Sequence, residues 1–566
     1  MSSAAPQFDV IVIGSGITGG WAAKELCEAG LKVLMIERGR MIEHGAGYGN
    51  ELKAAWDMPF RGMGDAAKYV REYAVQRKNW QFNEFIEDHF VNDRDNPYTT
   101  PEGQDFNWFR SYQLGGRSLT WGRQSYRWSD YDFGANKRDG HGTDWPIRYA
   151  DLAPWYDKVE RFIGVSGAKE GLKQLPDGEF LPAMKLNTVE AHLRAVIGAK
   201  WPERRLTIGR AVHLTEAKPD EGRAQCQSRD ICQRGCSFGA YFSTQSSTLP
   251  AATKTGNLTV ITDAVVEKID YEPRTKRVTG VRYIDTHTKT RHAATARLVF
   301  LNAGAFNSCH LLLNSASEAM PHGLANASGV LGTHIMDHAT TLAGAALMPG
   351  FDTHYYFGNR PTACIIARYR NMDVMDGVGH SRGYSFQGGA MRSTWTRGKH
   401  MAGIGADYKH MLRGPGPWST SLVVFADCVP RASNRLTLNH KRTDANGLPV
   451  LDIAFAYGAE EQAALTQARQ DAVEMLTAAG GQVVAGSDQL SAGGNAIHEM
   501  GGARMGFDPA TSVLNRFSQT HDIANLFVSD GAQMSSSACQ NPSLTYMALT
   551  ARACHHAVGL LKAGSL

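Results

Sequence analysis

The stretch FDVIVIGSGITGGWAAKELCEAG, residues 8–30, places a short apolar run, a glycine-rich turn and a helical segment in direct succession. FDVIVI is largely apolar and β-branched, which is typical of a buried parallel strand. Gly14, Gly16 and Gly19 satisfy the spacing G-x-G-x-x-G, which lets a helix N-terminus face a pyrophosphate. KVLMIERG (32–39) follows as a second strand, so the first forty residues predict one βαβ unit.

Glu37 closes that second strand. At this place in a βαβ unit a carboxylate accepts hydrogen bonds from the hydroxyls of an adenosine ribose, which favours FAD or NAD over NADP. The alternative is that the glycines mark only a tight turn. Strand, helix and terminal acid together favour dinucleotide binding.

The bulk composition bounds the class of protein. A chain of 566 residues with 43% hydrophobic and 20% charged residues predicts a globular enzyme of two interwoven domains. A net charge of +4 without a basic stripe argues against nucleic-acid binding. We expect no membrane span, and the N-terminus lacks a leader pattern, so the chain by itself is expected to be cytoplasmic. Nine scattered cysteines do not predict a disulfide scaffold.

Further along, the pattern changes from parallel to antiparallel character. Residues 257–285 alternate like a three-stranded meander, and 296–315 read as a buried strand, a glycine turn and a helix start. Several strand-like runs between 335 and 455 predict an antiparallel sheet, with a hairpin at 434–455 turned by Ala-Asn-Gly. The remaining predictions are loops over 45–110 and 114–123, mainly helix over 145–205, a helix over 460–481, and a last strand and closing helix after 525.

Two C-terminal segments carry a family resemblance. HEMGGARMGFD (498–508) and NLFVSDGAQMSSSACQNPSLTYMALTARA (525–553) resemble the end of the glucose-methanol-choline (GMC) oxidoreductase family. GTHIMDH (332–338) and LNAGAFNSCHLLLNS (301–315) resemble internal segments of that family. The latter departs from it, because Cys309 stands where Pro or Ser is usual and the trailing Ser-Gly is absent.

The resemblance implies an α/β protein with the GMC fold, in which a Rossmann-like FAD-binding domain carries a second, substrate-binding domain built on an antiparallel β-sheet. The FAD-binding domain is expected over 1–130, 205–334 and 490–566, and the substrate domain over 131–204 and 335–489. The expected cofactor-binding residues are Gly14, Gly16, Gly19, Glu37, Arg38, Gly115, Gly116, Ser118, Val265, Ala303, Asp530, Gly531 and Pro542.

The resemblance also implies a catalytic pair, His498 and Asn541, facing the flavin. Oxidising a secondary alcohol by hydride transfer to flavin N5 requires removal of the hydroxyl proton, which a neutral imidazole accepts near neutral pH. The amide of Asn541 cannot be a base, but it can hold the same hydroxyl in line. The alternatives are a core histidine and a helix cap before Pro542.

LGGRSLTWG (114–122) resembles the flavin-facing loop in which some relatives attach FAD through histidine. Thr120 stands at the matching position, so the resemblance implies a non-covalent flavin.

Cys226, Cys232 and Cys236 form a C-x5-C-x3-C pattern in the segment 226–236. The pattern resembles the catalytic subunits of FAD-dependent sugar dehydrogenases in the family, which implies a [3Fe-4S] cluster ligated by three thiolates. The alternatives are a zinc site with a fourth ligand from elsewhere, which usually shows C-x2-C spacing, or three unrelated thiols.

A cluster implies a dehydrogenase that passes single electrons to an outside acceptor. The resemblance implies that this acceptor is a cytochrome c. The resemblance further implies a small chaperone-like subunit that carries an export signal, and therefore a periplasmic location. The first rival is an oxygen-dependent sugar oxidase of the pyranose 2-oxidase type. The others are a glucose 1-dehydrogenase or gluconate 2-dehydrogenase large subunit and a flavin-binding assembly subunit without catalysis.

The substrate is the last inference from resemblance. IERGRMIEHGAGY (36–48) together with the three cysteines looks most like glucoside 3-dehydrogenases, which oxidise C3 of glucose and glucosides. Gln387 and Asn359 are candidate donors to sugar hydroxyls, with ordinary sheet or loop positions as the alternative.

Overall fold

The computed structural model describes residues 7–354 and 360–566. The predicted Asn359 lies outside them. The strands are β1 (Phe8–Ile13), β2 (Val33–Ile36), β3 (Leu206–Ile208), β4 (Leu258–Ile261), β5 (Ala264–Glu272), β6 (Arg277–Asp285), β7 (Arg291–Leu301), β8 (Ala339–Leu347), β9 (Cys364–Ile366), β10 (Tyr384–Arg392), β11 (Trp418–Ala426), β12 (Arg435–Thr443), β13 (Pro449–Ala454), β14 (Gln482–Ala485) and β15 (Leu526–Val528).

The α-helices connect these strands and cover the sheets. They are α1 (Ile17–Glu28), α2 (Ala66–Glu72), α3 (Asp130–Phe133), α4 (Ala135–Asp139), α5 (Tyr149–Ile163), α6 (Thr188–Lys200), α7 (Leu249–Lys254), α8 (Ala305–Asn314), α9 (Gly405–Arg413), α10 (Ala459–Ala478) and α11 (Ser543–Lys562). None of the described helices is long and apolar enough to cross a membrane.

The first sheet has the Rossmann-like order β4-β2-β1-β7, with β15 pairing the free side of the C-terminal half of β7. The predicted βαβ unit is confirmed: Val10 lies beside Val33 in parallel register, and α1 connects the two strands. The inner residues of β1 and β2 are buried, as continuous apolar runs in a parallel sheet require. Their side chains pack against α1 and α11, so the first and last helices share one core.

The meander predicted over 257–285 is shifted by one strand. β4 leaves it and pairs in parallel with β2, and the antiparallel meander consists of β5, β6 and β7 instead. The alternation of apolar and polar residues could not distinguish the two arrangements, because a strand with one half-buried face shows the same alternation in parallel and in antiparallel pairing. The strand, turn and helix predicted over 296–315 are confirmed by β7 and α8.

The second sheet is antiparallel and follows the order β14-β8-β11-β10-β9-β3, as the fold prediction required. Helix α10 covers it, with its buried face against β8 and β11. The edge strand β3 lies within the segment assigned to the FAD-binding domain, yet it pairs with β9 of this sheet.

The predicted hairpin β12–β13 is confirmed, with Gly447 at φ +80° in its turn. It forms a sheet of its own that packs on α8. The loop predicted over 45–110 contains one α-helix that the sequence pattern did not indicate, α2, besides three short 3-10 turns. Asp65 caps α2 by accepting from two backbone N–H groups. The largely helical reading of 145–205 corresponds to α5 and α6, with irregular chain between them.

Candidate active site

Close backbone contacts shape the glycine-rich turn between β1 and α1. Gly14 has φ +92°, and a Cβ there would lie 2.6 Å from the Asn302 carbonyl oxygen. A Cβ on Gly19 would lie 2.0 Å from the Gly14 carbonyl oxygen, so side chains are excluded at both positions. A Cβ on Gly16 would meet nothing within 4 Å. The space beside the first turn of α1 is therefore open, as an anion site at a helix N-terminus requires.

Glu37 follows β2 directly and braces this turn. One of its carboxylate oxygens accepts from the Ser15 backbone N–H at 3.1 Å and from the Ser15 hydroxyl at 2.5 Å, and the other accepts from the Gly39 N–H at 2.9 Å. Burial raises the pKa of Glu37, and the hydrogen bonds from Ser15 and Gly39 oppose that shift. A carboxylate has about four acceptor sites, so one remains for a ribose hydroxyl.

A cavity of about 940 Å³ extends from the glycine-rich turn to the antiparallel sheet. Most of the predicted cofactor-binding residues lie on its wall. They are Gly14, Gly16, Glu37, Arg38, Gly116, Ser118, Val265, Ala303, Asp530, Gly531 and Pro542. Gly19 and Gly115 are not on the wall: Gly19 packs against Gly14, and a Cβ on Gly115 would clash with the side chain of Gln245. Thr120 also lines the cavity.

Several buried polar atoms of residues on this wall, among them Asn302 Oδ1 and Ser111 Oγ, have no hydrogen-bond partner among the described residues. Buried polar atoms are normally paired, so unpaired ones beside a large cavity indicate a polar ligand. The open space at Gly16 leaves room for a pyrophosphate at the helix N-terminus, and the free acceptor site of Glu37 suits a ribose hydroxyl, so together with these unpaired polar atoms the wall fits FAD.

Asp530 connects the end of β15 to the start of α8. Its carboxylate accepts from the Gly304 N–H at 2.9 Å, from the Ser308 hydroxyl at 2.5 Å and from the Ala532 N–H at 2.9 Å. Burial raises the pKa of Asp530 to about 6, against these hydrogen bonds. The three contacts hold two cavity-lining turns together.

The structure brings His498 and Asn541 together on the cavity wall. Asn541 Nδ2 lies 3.1 Å from His498 Nε2, and Asn541 Oδ1 accepts from Gln387 Nε2 at 2.6 Å. Burial, followed by electrostatic interactions with His338 and Arg117, holds the pKa of His498 well below its usual range. The imidazole is therefore neutral near pH 7 and able to accept a proton.

Buried acids and bases fix the loop that carries His498. Asp337 accepts from the backbone N–H of His498 at 2.9 Å and of Ala496 at 3.2 Å. Burial and the neighbouring Glu499 raise the pKa of Asp337 to about 7. Arg117 holds Glu499 through contacts of 3.2 and 2.7 Å, which ties this loop to the segment 114–122.

His338 is a functional candidate that the sequence analysis missed. It lies in the quoted segment 332–338, immediately before β8, and its Nδ1 is 2.8 Å from His498 Nδ1. Its Nε2 lies 3.0 Å from the Ser537 carbonyl oxygen. The signal in the sequence was a histidine in a segment that resembles the family, but no motif spacing relates His338 to His498.

The three thiols of segment 226–236 are half-buried and free. The loop is tied to the segment after β2 because Glu51 accepts from Arg229 at 2.5 Å and from the Ser237 N–H at 3.0 Å. Burial raises the pKa of the Cys232 thiol, and the charge of Arg123 opposes that shift. Cys232 also lines the cavity.

Three thiols are a suitable donor set for an iron–sulfur cluster. However, within 7–354 and 360–566 no three His, Cys, Asp or Glu side chains are grouped as a metal site. The described residues thus show no preformed metal-ion site, and the cluster ligation by Cys226, Cys232 and Cys236 stays a prediction. Ser228 N–H donates to Cys226 Sγ at 3.4 Å, and Arg229 donates to Cys236 Sγ at 3.6 Å, so two sulfurs are engaged by neighbours within the loop.

Comparison with known proteins agrees with this geometry. The model of the FAD dependent oxidoreductases matches residues 9–77, and the two models of the GMC oxidoreductases match 206–340 and 430–550. These segments contain the glycine-rich turn, the strands of the first sheet beyond it, and the pair His498 and Asn541. Fold and site thus define a flavoenzyme.

The chain belongs to the GMC oxidoreductase family and is an FAD-dependent enzyme acting on CH–OH donors. It is 27% identical to 2-methyl-1,2-propanediol dehydrogenase of Mycolicibacterium austroafricanum, over 98% of this chain and 95% of that protein. It is 25% identical to the fructose dehydrogenase large subunit of Gluconobacter japonicus, over the whole of both chains. Pyridoxine 4-oxidase from Mesorbium loti shares the fold, with a TM-score of 0.59 at 17% identity over 97% of this chain and 98% of that one.

Proposed function

We propose that the enzyme oxidises a secondary hydroxyl of a sugar, at C3 of glucose or a glucoside, and passes the electrons to a cytochrome c. The observation that carries the alcohol oxidation is the His498–Asn541 pair, 3.1 Å apart on the wall of the cavity that fits FAD. Bound FAD supplies the two-electron acceptor for the hydride.

The far side of the cavity supports a polyol substrate. Its wall combines amide, hydroxyl and charged side chains with the glycines of β10, so a ring with several hydroxyls finds both donors and acceptors. These polar residues are Asn187, Glu190, Arg360, Thr362, Gln387 and Ser421. Gln387 already donates to Asn541, which places a sheet residue next to the catalytic pair.

The roles of the pair follow from their chemistry. His498 accepts the hydroxyl proton on Nε2 as the hydride leaves carbon, because its neutral ring carries a lone pair there. Asn541 donates from Nδ2 and holds the reacting oxygen beside His498, while Gln387 fixes the orientation of that amide. Asp337 accepts from the backbone N–H of His498 and so fixes the position of the base on the cavity wall.

We also propose that Cys226, Cys232 and Cys236 bind a [3Fe-4S] cluster, that a small subunit accompanies the chain, and that both are exported to the periplasm. A cluster of this kind carries one electron at a time. The support is the C-x5-C-x3-C spacing, the three free thiols in one loop, and the position of Cys232 on the cavity wall. The similarity to a protein named as a large subunit supports a partner chain.

Anaerobic mixing with D-glucose, methyl glucosides and disaccharides tests the proposal. We expect bleaching of the flavin absorbance by at least one glucoside, and NMR of the product should show a ketone at C3. A product oxidised at C1 or C2 would overturn the C3 assignment, and a flavin that no sugar reduces would overturn the sugar assignment. Peroxide release in air would identify an oxidase, and iron and sulfide analysis tests the cluster separately.

A further inference from the structure

A continuous hydrogen-bond chain passes through His498. It begins at the Ser537 carbonyl oxygen, runs through both ring nitrogens of His338 and of His498, and ends at Asn541 and Gln387. Each contact lies between 2.6 and 3.1 Å. The direction of every bond in this chain follows from its two ends.

At the first end, the Ser537 carbonyl oxygen can only accept, so His338 Nε2 carries a hydrogen. His338 is fully buried, and burial lowers its pKa, so the ring is neutral and holds a single N–H. His338 Nδ1 is therefore an acceptor. His498 Nδ1, at 2.8 Å, must then be the donor, which leaves His498 Nε2 without a hydrogen.

The other end gives the same direction independently. Gln387 Nε2 donates to Asn541 Oδ1, which directs the amide nitrogen of Asn541 towards His498. That nitrogen can only donate, so it too requires an unprotonated His498 Nε2.

We propose that His338 is a positioning residue that fixes His498 in the tautomer with an unprotonated Nε2, whose lone pair accepts from Asn541 in this structure and accepts the proton of the substrate hydroxyl in the reaction. This inference rests on the proposed role of His498 as the base. In the reaction the substrate O–H bond breaks and its proton goes to Nε2, while the C–H bond breaks and its hydride goes to FAD. A C=O bond forms, the substrate loses two electrons and FAD gains them. His338 Nδ1 keeps the second N–H of the resulting imidazolium paired.

The substitution that tests this is His338→Leu, which has a similar volume but no acceptor. The substitution leaves the Nδ1–H of His498 without a hydrogen-bond partner. The wild-type orientation and tautomer then lose the contact that favours them, so the ring turns or carries its hydrogen on Nε2 instead. We expect the rate constant of flavin reduction to fall about 10- to 100-fold, the loss typical when the outer hydrogen-bond partner of a metal-bound histidine is removed, with little change in the substrate Kd. His338→Gln should recover most of the rate, because its amide can accept from His498 and donate to Ser537.

His380→Leu is the matched control. His380 is also buried, and it contacts Gln467 and the Arg382 carbonyl rather than the cavity. Stopped-flow reduction would use the sugar that bleaches the wild-type flavin fastest. FAD content and thermal unfolding should accompany every variant, and ¹⁵N NMR of labelled histidine, assigned with His498→Ala, reports which nitrogen of His498 carries the hydrogen.

The outcomes separate the two ideas. An inactive His498→Ala beside a His338→Leu with unchanged rate and unchanged His498 tautomer would overturn the role of His338 alone. Equal losses in His338→Gln and His338→Leu, with the tautomer preserved, would show a purely structural role and also overturn it. Normal flavin reduction in His498→Ala would overturn the proposed base, whatever the His338 variants do.

Discussion

Glu37→Gln isolates what the buried carboxylate contributes to cofactor binding. The amide keeps the size of the side chain, and its oxygen can still accept from both donors of Ser15. Its NH₂ group then faces the Gly39 N–H, which has donated to the carboxylate at 2.9 Å. One hydrogen bond is lost, and two donors, the Gly39 N–H and the new NH₂ group, face each other. Counting only the buried Gly39 N–H as unpaired, the cost is about 1–3 kcal/mol.

This cost falls on the turn that surrounds the pyrophosphate and ribose, so we expect it in the FAD affinity. At about 1.4 kcal/mol per tenfold, the Kd for FAD should rise by about 5- to 150-fold. Glu37→Ala removes the acceptor of all three donors. The cost of leaving them unpaired is about 3–9 kcal/mol, which is comparable to the free energy of unfolding of a whole domain. That variant should not accumulate as folded holoprotein.

The assay is titration of deflavinated protein with FAD, followed by quenching of flavin fluorescence, beside thermal unfolding of the apoprotein. Glu43→Gln is the matched control, because Glu43 is exposed and lies in the same segment of chain. It should leave the Kd unchanged. A Glu37→Gln protein that binds FAD as tightly as the wild type would refute the assigned hydrogen-bond network.

Three further predictions concern turnover. His498→Ala should retain FAD and lower the rate of flavin reduction by about 10²- to 10⁴-fold, the usual contribution of a general base; stopped-flow reduction at wild-type speed would contradict the base assignment. Because burial holds the pKa of His498 well below its usual range, its reactive neutral form persists on acidification, and the rate of reduction should stay level from pH 8 to below pH 6.5. An acidic limb at or above pH 6.5 would argue against this. Cys232→Ser should lower iron content and cytochrome c reduction while sugar still bleaches the flavin; full cytochrome c reduction would remove the cluster from the route.

The elements predicted correctly from sequence are those whose signals are local. The βαβ unit with Glu37 occupies forty consecutive residues, and the hairpin around Gly447 occupies twenty-two, 434–455. The pairing of β4 with β2 was missed because residues 37–257 lie between them, and no periodicity in β4 records its partner. Local pattern specifies an element and its buried face, whereas the neighbour in the sheet depends on contacts distant in the chain.

The same reason explains which part of the active site the sequence revealed. His498 and Asn541 stand in recognisable segments, but the residues that orient them do not. Gln387 points at Asn541 only because of its register on β10, and His338 reaches His498 only because β8 begins directly after it. Neither contact can be predicted from the spacing of residues along the chain.

It follows that the antiparallel sheet does more than enclose a substrate. The proposed catalytic pair comes from the C-terminal segment, whereas both side chains that set its hydrogen-bond direction come from strands of the second sheet or their ends. A shift of β8 or β10 by a few tenths of an ångström therefore alters the base itself, because hydrogen bonds weaken steeply with distance and angle. Substitutions that reshape the face of this sheet proposed to bind the sugar should change the rate of flavin reduction as well as the affinity for the sugar.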